Sequence, residues 1–245
     1  IRITKLLLNS DGEPATFVAL IQGSMVDYLV NELKKMGLET QIQEGTTLSD
    51  WGNLTKSKNI LARIKGTDSS KALLLLSHYD SAPHSFSKGA SDDASGVATI
   101  LEGVRAFLYA NEKHKNDIII LFSDAEELGL NGSKFFVENP TVDLKSINYM
   151  INMDMVGRYD TSHKLTVGGY GTSSKWSNIW KAINTPLVVK FDSTGSGPSD
   201  HASFYRAGIP VQFFFTGSHV DYHKATDDAD KINYEGTAQI VTLAY

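Results

Sequence analysis

The chain has 245 residues, no cysteine and a formal net charge of −5, with 28 acidic and 23 basic side chains. The lack of cysteine excludes disulfides, thiol catalysis and cysteine-ligated zinc. The acidic excess argues against nucleic acid as the main partner, because no dense basic stripe is present to neutralise phosphates. Since no apolar run approaches the roughly 18 residues that cross a bilayer, we expect no membrane segment within this chain.

The first quarter of the chain predicts one helix followed by two strands. Apolar residues repeat with a helical period over residues 17–36, and Gly37 stands where such a helix would end. Strand-like pieces follow at 39–44 and 59–64, with a polar loop predicted at 45–57. Both strands are amphipathic, so we expect them at an antiparallel edge of a sheet.

The remaining sequence predicts strands that alternate with helices. Continuous apolar runs are typical of strands buried on both faces, and they occupy residues 71–77, 118–122, 149–153 and 211–215. Helical segments are predicted at residues 97–110, 130–138, 173–183 and 232–243. This alternation predicts an α/β fold, a three-layer sandwich with a mixed, mostly parallel central sheet flanked by helices, and we treat residues 1–245 as a single domain.

Functional groups in such sheets gather beyond the carboxyl ends of the parallel strands. Histidine or carboxylate residues follow all four of the buried strands, and the loop after the first strand adds two further aspartates, Asp92 and Asp93. A single residue of this kind is usually a helix cap or a turn residue. Four sets at one sheet edge instead indicate a site, composed of His78, Asp80, Asp92, Glu126, Glu127, Asp154 and His223.

These residue types suit a pair of zinc ions. Imidazole and carboxylate both bind zinc, and a two-metal site needs one carboxylate to bridge ions about 3.5–4 Å apart. The predicted ligands are His78, Asp92, Glu127, Asp154 and His223. Asp80 lies two residues from His78 in an extended segment and can therefore accept its second ring N–H. Glu126 adjoins a ligand, as expected of a general base that reaches metal-bound water.

Other catalytic motifs are absent from the sequence. No serine has glycine at both the second preceding and the second following position, so the hydrolase nucleophile elbow is missing. His219 and His223 lie four residues apart, but Val220 stands where the helical zinc-peptidase motif requires glutamate. The phosphate-binding loop with a glycine–lysine pair is also absent.

Six short motifs occur in order between residue 59 and the end of the chain. They are H-Y-D-S at 78–81, G-A-S-D-D-A-S-G-V-A at 89–98, E-E-L-G-L-N-G-S at 126–133, N-M-D-M-V-G-R at 152–158, S-D-H-A-S-F at 199–204 and D-Y-H-K-A-T-D-D-A-D-K-I at 221–232. Together they resemble the di-zinc exopeptidase family of bacterial leucyl aminopeptidases, plasma glutamate carboxypeptidase and glutaminyl cyclases. The resemblance is closest to the aminopeptidases.

The resemblance implies a role for each predicted site residue. Asp92 would bridge two Zn²⁺ ions per chain, His78 and Asp154 would complete one ion, and Glu127 and His223 would complete the other. Glu126 would be the general base that deprotonates the bridging water and later protonates the leaving amine. Asp80 would orient His78, and Tyr222 would donate to the oxyanion. The resemblance also implies a cis peptide bond between Asp92 and Asp93.

The expected activity is that of a zinc aminopeptidase, a metal-dependent hydrolase that cleaves the N-terminal bond of a peptide or small aminoacyl substrate. Asp93 is an alternative to Asp92 as the bridging residue, although the D-x-x-S-G spacing favours Asp92. The alternative functions are a glutaminyl cyclase with one zinc, a carboxypeptidase or dipeptidase, and an inactive binding module on the same fold. A carboxypeptidase would need Arg158 or Arg206 to hold the substrate carboxylate.

Further expectations concern residues and properties around the site. We expect Asp200 and His201 to brace a helix start and the pocket wall, and His219 to be a pocket or surface residue. The sequence does not identify substrate-binding residues. The cysteine-free chain starts at Ile1 and is compatible with an oxidising compartment, so we predict an extracytoplasmic location. We favour a monomer, and we expect no inserted lid or protease-associated domain within 245 residues.

Overall fold

The computed structural model describes residues 24–48, 52, 54–82, 86–111, 113–160, 162 and 164–244. This part of the chain forms one sheet of eight strands with six α-helices. The strands are β1 (Thr40–Leu48), β2 (Leu54–Ile64), β3 (Asp68–His78), β4 (Asn116–Ser123), β5 (Ile147–Met153), β6 (Leu165–Gly168), β7 (Val189–Phe191) and β8 (Val211–Phe215). The helices are α1 (Ser24–Lys35), α2 (Ser95–Ala110), α3 (Asn131–Glu138), α4 (Trp176–Ala182), α5 (His201–Arg206) and α6 (Tyr234–Ala244).

The strand order β1-β2-β4-β3-β5-β8-β6-β7 brings together the strand ends that are followed by histidine and carboxylate residues. The central neighbours β4, β3, β5 and β8 run parallel, so their carboxyl ends meet at one sheet edge. The pairs β1/β2, β2/β4 and β6/β8 are antiparallel. The predicted mixed α/β sheet is therefore confirmed, as is the antiparallel edge made by the first two strands.

Side chains of β4 show how the sheet is buried on both faces. Ile120 and Phe122 pack into the core beneath α1, α2 and α6, whereas Ile119 and Leu121 pack into the core beneath α3 and α5. All four are almost fully buried. Each such burial contributes about 1.5–3 kcal/mol relative to exposure. The alternation produces the predicted three layers of helix, sheet and helix.

Two glycines determine where helices α1 and α2 can lie. Gly37 has φ +79° just after α1, the left-handed conformation that commonly ends a helix. Gly96, in the first turn of α2, packs so closely on β5 that a Cβ there would lie 2.2 Å from the carbonyl oxygen of Met153. The start of α2, which follows the Asp92 segment, is thus held directly against the end of β5.

The predicted loop at 45–57 is wrong in its extent. β1 and β2 continue as a long hairpin in which Gly45 pairs with Ser57. Contacts distant in sequence stabilise this polar hairpin: the Tyr79 hydroxyl donates to the carbonyl of Lys58, and the Lys58 N–H donates to Asp124. Sequence periodicity does not reflect such contacts, so the predicted strands are shorter than the observed ones.

Short elements account for the remaining differences. β6, β7 and α5 were not predicted, and each has only three to six residues, too few for a clear period. Residues 17–23 of the first predicted helix lie outside the described residues, and its remainder is confirmed as α1. None of the helices in the described ranges is long and apolar enough to cross a bilayer.

Candidate metal centre

Segments that follow four parallel strands bring the predicted site residues together. His78 is the last residue of β3, Asp154 directly follows β5, and Glu126 and Glu127 lie in the turn after β4. Asp92 lies in an irregular helical turn, Ala90–Ala94, that precedes α2. His223 follows β8 and has φ +54°. The sheet topology is thus what gathers residues separated by up to 145 positions.

Asp92 lies between two imidazoles. Its Oδ1 is 3.1 Å from Nε2 of His78, and its Oδ2 is 3.1 Å from Nε2 of His223. Nε2 of His223 is also 2.9 Å from Oε2 of Glu127, and Nε2 of His78 is 3.6 Å from Oδ1 of Asp154. The five predicted ligands therefore form two groups of three that share the Asp92 carboxylate, the arrangement a bridged pair of cations requires.

Several polar atoms in these groups are buried without a hydrogen-bond partner among the described residues. They are Nε2 of His78, Oε1 of Glu127 and Oδ1 of Asp154. Buried polar atoms normally find a partner, because an unsatisfied one costs about 1–3 kcal/mol. Imidazole nitrogen and carboxylate oxygen are zinc donors, so this donor set fits two zinc ions.

The shifted pKa values of the ligand residues also favour bound cations. Burial and the nearby charge of Asp92 raise the pKa of Glu127 to about 8. Burial would also raise the pKa of Asp92, but the imidazoles of His223 and His78 hold it well below its ordinary value. Although burial disfavours its charged form, His78 has a raised pKa because Glu126, Asp154, Asp80 and Asp92 surround it. Such crowding of buried carboxylates is relieved by bound cations.

Asp80 connects His78 to the glutamate turn. Nδ1 of His78 lies 3.1 Å from the carbonyl oxygen of Asp80 and 3.4 Å from its Oδ1. The two carboxylate oxygens of Asp80 accept the backbone N–H groups of Glu126 and Glu127 at 3.1 and 3.2 Å. Sequence reasoning expected the carboxylate to be the acceptor for His78. In the structure the Asp80 carbonyl is the nearer acceptor, and the carboxylate also orders the turn that carries two other predicted site residues.

Asp93 is close to the candidate metal centre, but its carboxylate oxygens are hydrogen-bonded to other residues. Its carboxylate lies near the ligand atoms of His78 and Asp154, within 4.8 Å. However, Oδ2 accepts the hydroxyl of Ser77 at 2.6 Å, and Oδ1 accepts the N–H groups of Gly96 and Met155 at 3.0 Å. These bonds favour Asp92 as the bridging residue. The Asp92–Asp93 peptide bond is cis, so this prediction is confirmed.

A serine that sequence reasoning did not single out orients Asp154. The hydroxyl of Ser199 donates to Oδ2 of Asp154 at 2.7 Å and accepts from the side-chain amide of Asn152 at 2.7 Å. The other carboxylate oxygen of Asp154 is thereby left to face His78. Both partners lie inside matched motifs, S-D-H and N-M-D, and those motifs were the available signal.

Glu126 and Tyr222 border the two ligand groups. The Glu126 side chain is buried, and burial together with the Asp154 charge raises its pKa well above the ordinary value. Tyr222 is 40% exposed, and its ring stacks on His223 with a centroid distance of 3.8 Å. Burial, followed by the charge of Asp92, raises the pKa of its phenol. A neutral phenol can donate a hydrogen bond near the metal centre.

Three residues expected near the site are buried rather than surface groups. Asp200 lies just before α5, where Ser123 donates to its carboxylate, and His201 stacks on Phe213 with ring centroids 4.3 Å apart. Burial raises the pKa of Asp200 to about 6 and lowers that of His201 to about 4. The His219 ring is also buried, with Nε2 4.0 Å from Asp227. The position of Asp200 just before α5 agrees with the expected helix start, and the buried ring of His219 agrees with a pocket residue.

The eight-stranded mixed sheet flanked by helices has the zinc-exopeptidase fold. The sequence profile of Peptidase family M28 matches residues 59–245. The chain belongs to this family, and the predicted resemblance is therefore confirmed.

Relatives in this family include named peptidases. Leupeptin-inactivating enzyme 1 of Streptomyces exfoliatus is 30% identical over 231 residues, which are 94% of this chain and 50% of that protein. Aminopeptidase YwaD of Bacillus subtilis is 33% identical over 244 residues, covering 91% of this chain and 52% of that protein. The chain thus spans about half the length of these relatives.

Solved structures share the fold. A zinc aminopeptidase from Bacillus subtilis superimposes with a TM-score of 0.65 at 28% identity, covering 78% of this chain and 49% of the other. Glutaminyl cyclase from Porphyromonas gingivalis superimposes with a TM-score of 0.75, covering 99% and 93%, but at 18% identity. At that identity the likeness demonstrates the fold alone.

Proposed function

We propose that this chain is the catalytic part of a zinc-dependent aminopeptidase that hydrolyses the N-terminal bond of a peptide or small aminoacyl substrate. The observation that carries the proposal is the position of Asp92, whose two carboxylate oxygens each lie 3.1 Å from a different imidazole. Membership of Peptidase family M28 and similarity to named aminopeptidases support the same reading.

Glu126 is the proposed general base. Two zinc ions, held by His78, Asp92, Glu127, Asp154 and His223, would lower the pKa of water and polarise a substrate carbonyl. Glu126 then accepts the water proton and returns it to the leaving amine. A base must be ionised, and neighbouring divalent cations lower a carboxyl pKa that burial has raised. Asp80 keeps Glu126 in place by accepting its backbone N–H.

Tyr222 is the proposed donor to the oxyanion. Its ring stacks on His223, and its raised pKa keeps the hydroxyl protonated at neutral pH. A protonated donor beside the reacting carbonyl stabilises the negative charge that develops on oxygen during hydrolysis. The partial exposure of the ring leaves it accessible to a substrate.

The charge around the site favours recognition of a substrate amine. The side chains that surround the imidazoles of His78 and His223 are carboxylates, namely Asp80, Asp92, Glu126, Glu127 and Asp154. Arg158, one of the two arginines that a carboxypeptidase could use for the substrate carboxylate, is instead paired with Asp221 and Asp227. The other, Arg206, donates to the hydroxyl of Ser203. An amine attracted to carboxylates therefore fits better than a carboxylate attracted to arginine, which supports an aminopeptidase over a carboxypeptidase.

Two complete ligand groups favour a hydrolase over the cyclase alternative. The cyclase reading requires one zinc, whereas the His78–Asp154 pair and the His223–Glu127 pair are both within 3.6 Å. The shared fold with the glutaminyl cyclase carries no argument about reaction type. An inactive binding module would have no need of the buried Glu126.

A panel of aminoacyl chromogenic substrates, assayed with and without a chelator, tests the proposal. We expect hydrolysis that is lost on chelation and restored by zinc, with two zinc ions per chain by elemental analysis. Cyclisation of N-terminal glutamine with one zinc per chain would contradict the proposal, as would hydrolysis that survives complete metal removal. The monomeric state, the extracytoplasmic location and the single-domain interpretation stay predictions.

A further inference from the structure

Three consecutive backbone N–H groups leading into Asp92 are all bound by one residue, Asp227. The N–H of Ala90 donates to the carbonyl oxygen of Asp227 at 3.2 Å. The N–H groups of Ser91 and Asp92 both donate to its Oδ2, at 2.9 and 3.1 Å. One residue therefore binds the backbone of three consecutive residues that end at the proposed bridging ligand.

Arg158 balances the charge of this buried carboxylate. Asp227 has no exposed surface, and its Oδ1 accepts from Nη2 of Arg158 at 3.0 Å. Nη2 of Arg158 also lies 3.3 Å from Asp221. The buried ring of His219 faces Asp227 from 4.0 Å. A buried carboxylate with this partner set is satisfied, as buried charges must be.

The Arg158–Asp227 pair joins three segments that carry proposed ligands. Arg158 lies four residues after Asp154, and Asp227 lies four residues after His223. The N–H bonds add the segment of Asp92. A displacement of Asp227 would therefore disturb the spacing of both ligand groups at once.

We propose that Asp227 is a positioning residue that holds Asp92 in the orientation for metal binding, with Arg158 as its charge partner. The inference rests on the proposed function only in that it requires the metal centre. Asp227 holds the segment through Oδ2, which accepts the two N–H groups. The positive charge of Arg158 offsets the cost of burying the carboxylate. Residues that orient metal ligands typically change metal affinity by about 10–100-fold when replaced.

Metal affinity of purified full-length variants, measured by competition with a chromogenic zinc chelator, is the test. In Asp227→Asn the amide oxygen pairs with the donor Arg158, so the N–H₂ faces the N–H groups of Ser91 and Asp92. Zinc binding should therefore weaken by about 10–100-fold. Arg158→Gln keeps the Asp227 oxygens and should retain zinc affinity within about threefold while lowering the melting temperature. The double variant Asp227→Asn/Arg158→Gln restores a neutral amide pair with an oxygen facing the two N–H groups, and its zinc affinity should recover.

Asp228→Asn is the matched control. Asp228 is the next residue and pairs with Lys88, but its side chain is about a third exposed and does not bind the Asp92 segment. We expect its zinc affinity to equal that of the unchanged chain. Circular dichroism and melting curves show whether each variant is folded, and kinetics at saturating zinc should return kcat of Asp227→Asn towards the unchanged value.

Wild-type zinc affinity in Asp227→Asn would overturn the inference, and so would a double variant that is folded but binds zinc no better than the single variant. If Asp227→Asn does not fold, the double variant carries the test, and more than tenfold weaker zinc binding in it would overturn the inference. The readout is separate from turnover. An unchanged chain that binds two zinc ions but hydrolyses no aminoacyl substrate would refute the proposed function and leave this inference standing.

Discussion

Asp92 shows how a single residue acquires a role from its surroundings. An aspartate near a helix start is ordinarily a cap, since it accepts N–H groups that the helix leaves free. Here the neighbouring Asp93 takes that part, accepting the Gly96 N–H, while both oxygens of Asp92 face imidazoles. Two adjacent acids of identical type therefore have different functions because their backbone places them differently.

Replacement of Glu126 by glutamine should abolish turnover without removing the metal. Glutamine has nearly the same shape but cannot accept the water proton, and loss of a general base typically costs about 10²–10⁴-fold in rate. Turnover of an aminoacyl substrate and zinc content by elemental analysis measure the two effects separately. Glu138→Gln, at an exposed position on α3, is the control and should behave as the unchanged chain. Normal hydrolysis by Glu126→Gln would refute the mechanism.

Replacement of Ser199 by alanine tests how Asp154 is oriented. The change removes the hydroxyl that donates to Asp154 and leaves the Asn152 amide without its acceptor. We expect zinc affinity to fall by about tenfold or more, because partners of ligands contribute to metal binding. Chelator competition measures the loss. Ser146→Ala, whose hydroxyl bonds only within an exposed turn, should leave affinity unchanged, and equal affinity in both variants would show that Ser199 has no such role.

Helix α2 matters because its first turn connects the Asp92 segment to the sheet. Asp93 binds the N–H of Gly96 in α2 and that of Met155 after β5, so one carboxylate joins helix and strand. The close approach of Gly96 to the carbonyl of Met153 makes this junction tight. Because α2 is held tightly against the end of β5, its position also limits where the proposed bridging ligand Asp92 can lie.

Two glycines of α2 should respond oppositely to alanine. At Gly96 a Cβ would lie 2.2 Å from backbone oxygen, so Gly96→Ala should lower the free energy of unfolding by about 3 kcal/mol. At Gly103 a Cβ meets nothing within 4 Å, and Gly103→Ala should raise it by about 0.5–1 kcal/mol because alanine favours helix. Denaturant unfolding measures both. Equal effects of the two substitutions would contradict this account of the helix–strand junction.

At the scale of the whole molecule, the metal centre links stability to pH. Burial raises the pKa of Glu127 to about 8 and that of Asp200 to about 6. Between the ordinary carboxyl pKa and these values, the folded metal-free chain retains protons that the unfolded chain has released. Its stability should therefore fall as pH rises through this window.

Removal of the metal should expose this dependence. Each of these two groups should lower the free energy of unfolding of the metal-free chain by up to about 1.4 kcal/mol per pH unit. The window runs from the ordinary carboxyl pKa up to about 6 for Asp200 and about 8 for Glu127. Zinc should flatten the curve, since cations favour the ionised carboxylates. Denaturant unfolding of zinc-loaded and chelator-treated chains at several pH values measures the difference. If the free energy of unfolding falls equally with pH in the zinc-loaded and the metal-free chain, zinc does not relieve the crowding of these carboxylates, and the prediction is wrong.

Local patterns in the sequence were sufficient for much of the fold and for the composition of the site. Continuous apolar runs marked β3, β4, β5 and β8, since strands buried on both faces need apolar residues at every position. Polar residues just beyond those runs marked the site, since parallel strands place their carboxyl ends together. Neither signal depends on distant contacts.

Only the tertiary structure decided the contacts between segments. The long β1–β2 hairpin is stabilised by bonds such as that from Tyr79 to Lys58, and Asp227 acquires its role through N–H groups 135 to 137 positions away in sequence. The pairing of Arg158 with Asp227 was likewise open from sequence, and it occupies one of the two arginines expected to hold a substrate carboxylate. A sequence therefore determines which groups are present and which strand they follow. Their mutual orientation depends on packing between segments that share no local pattern.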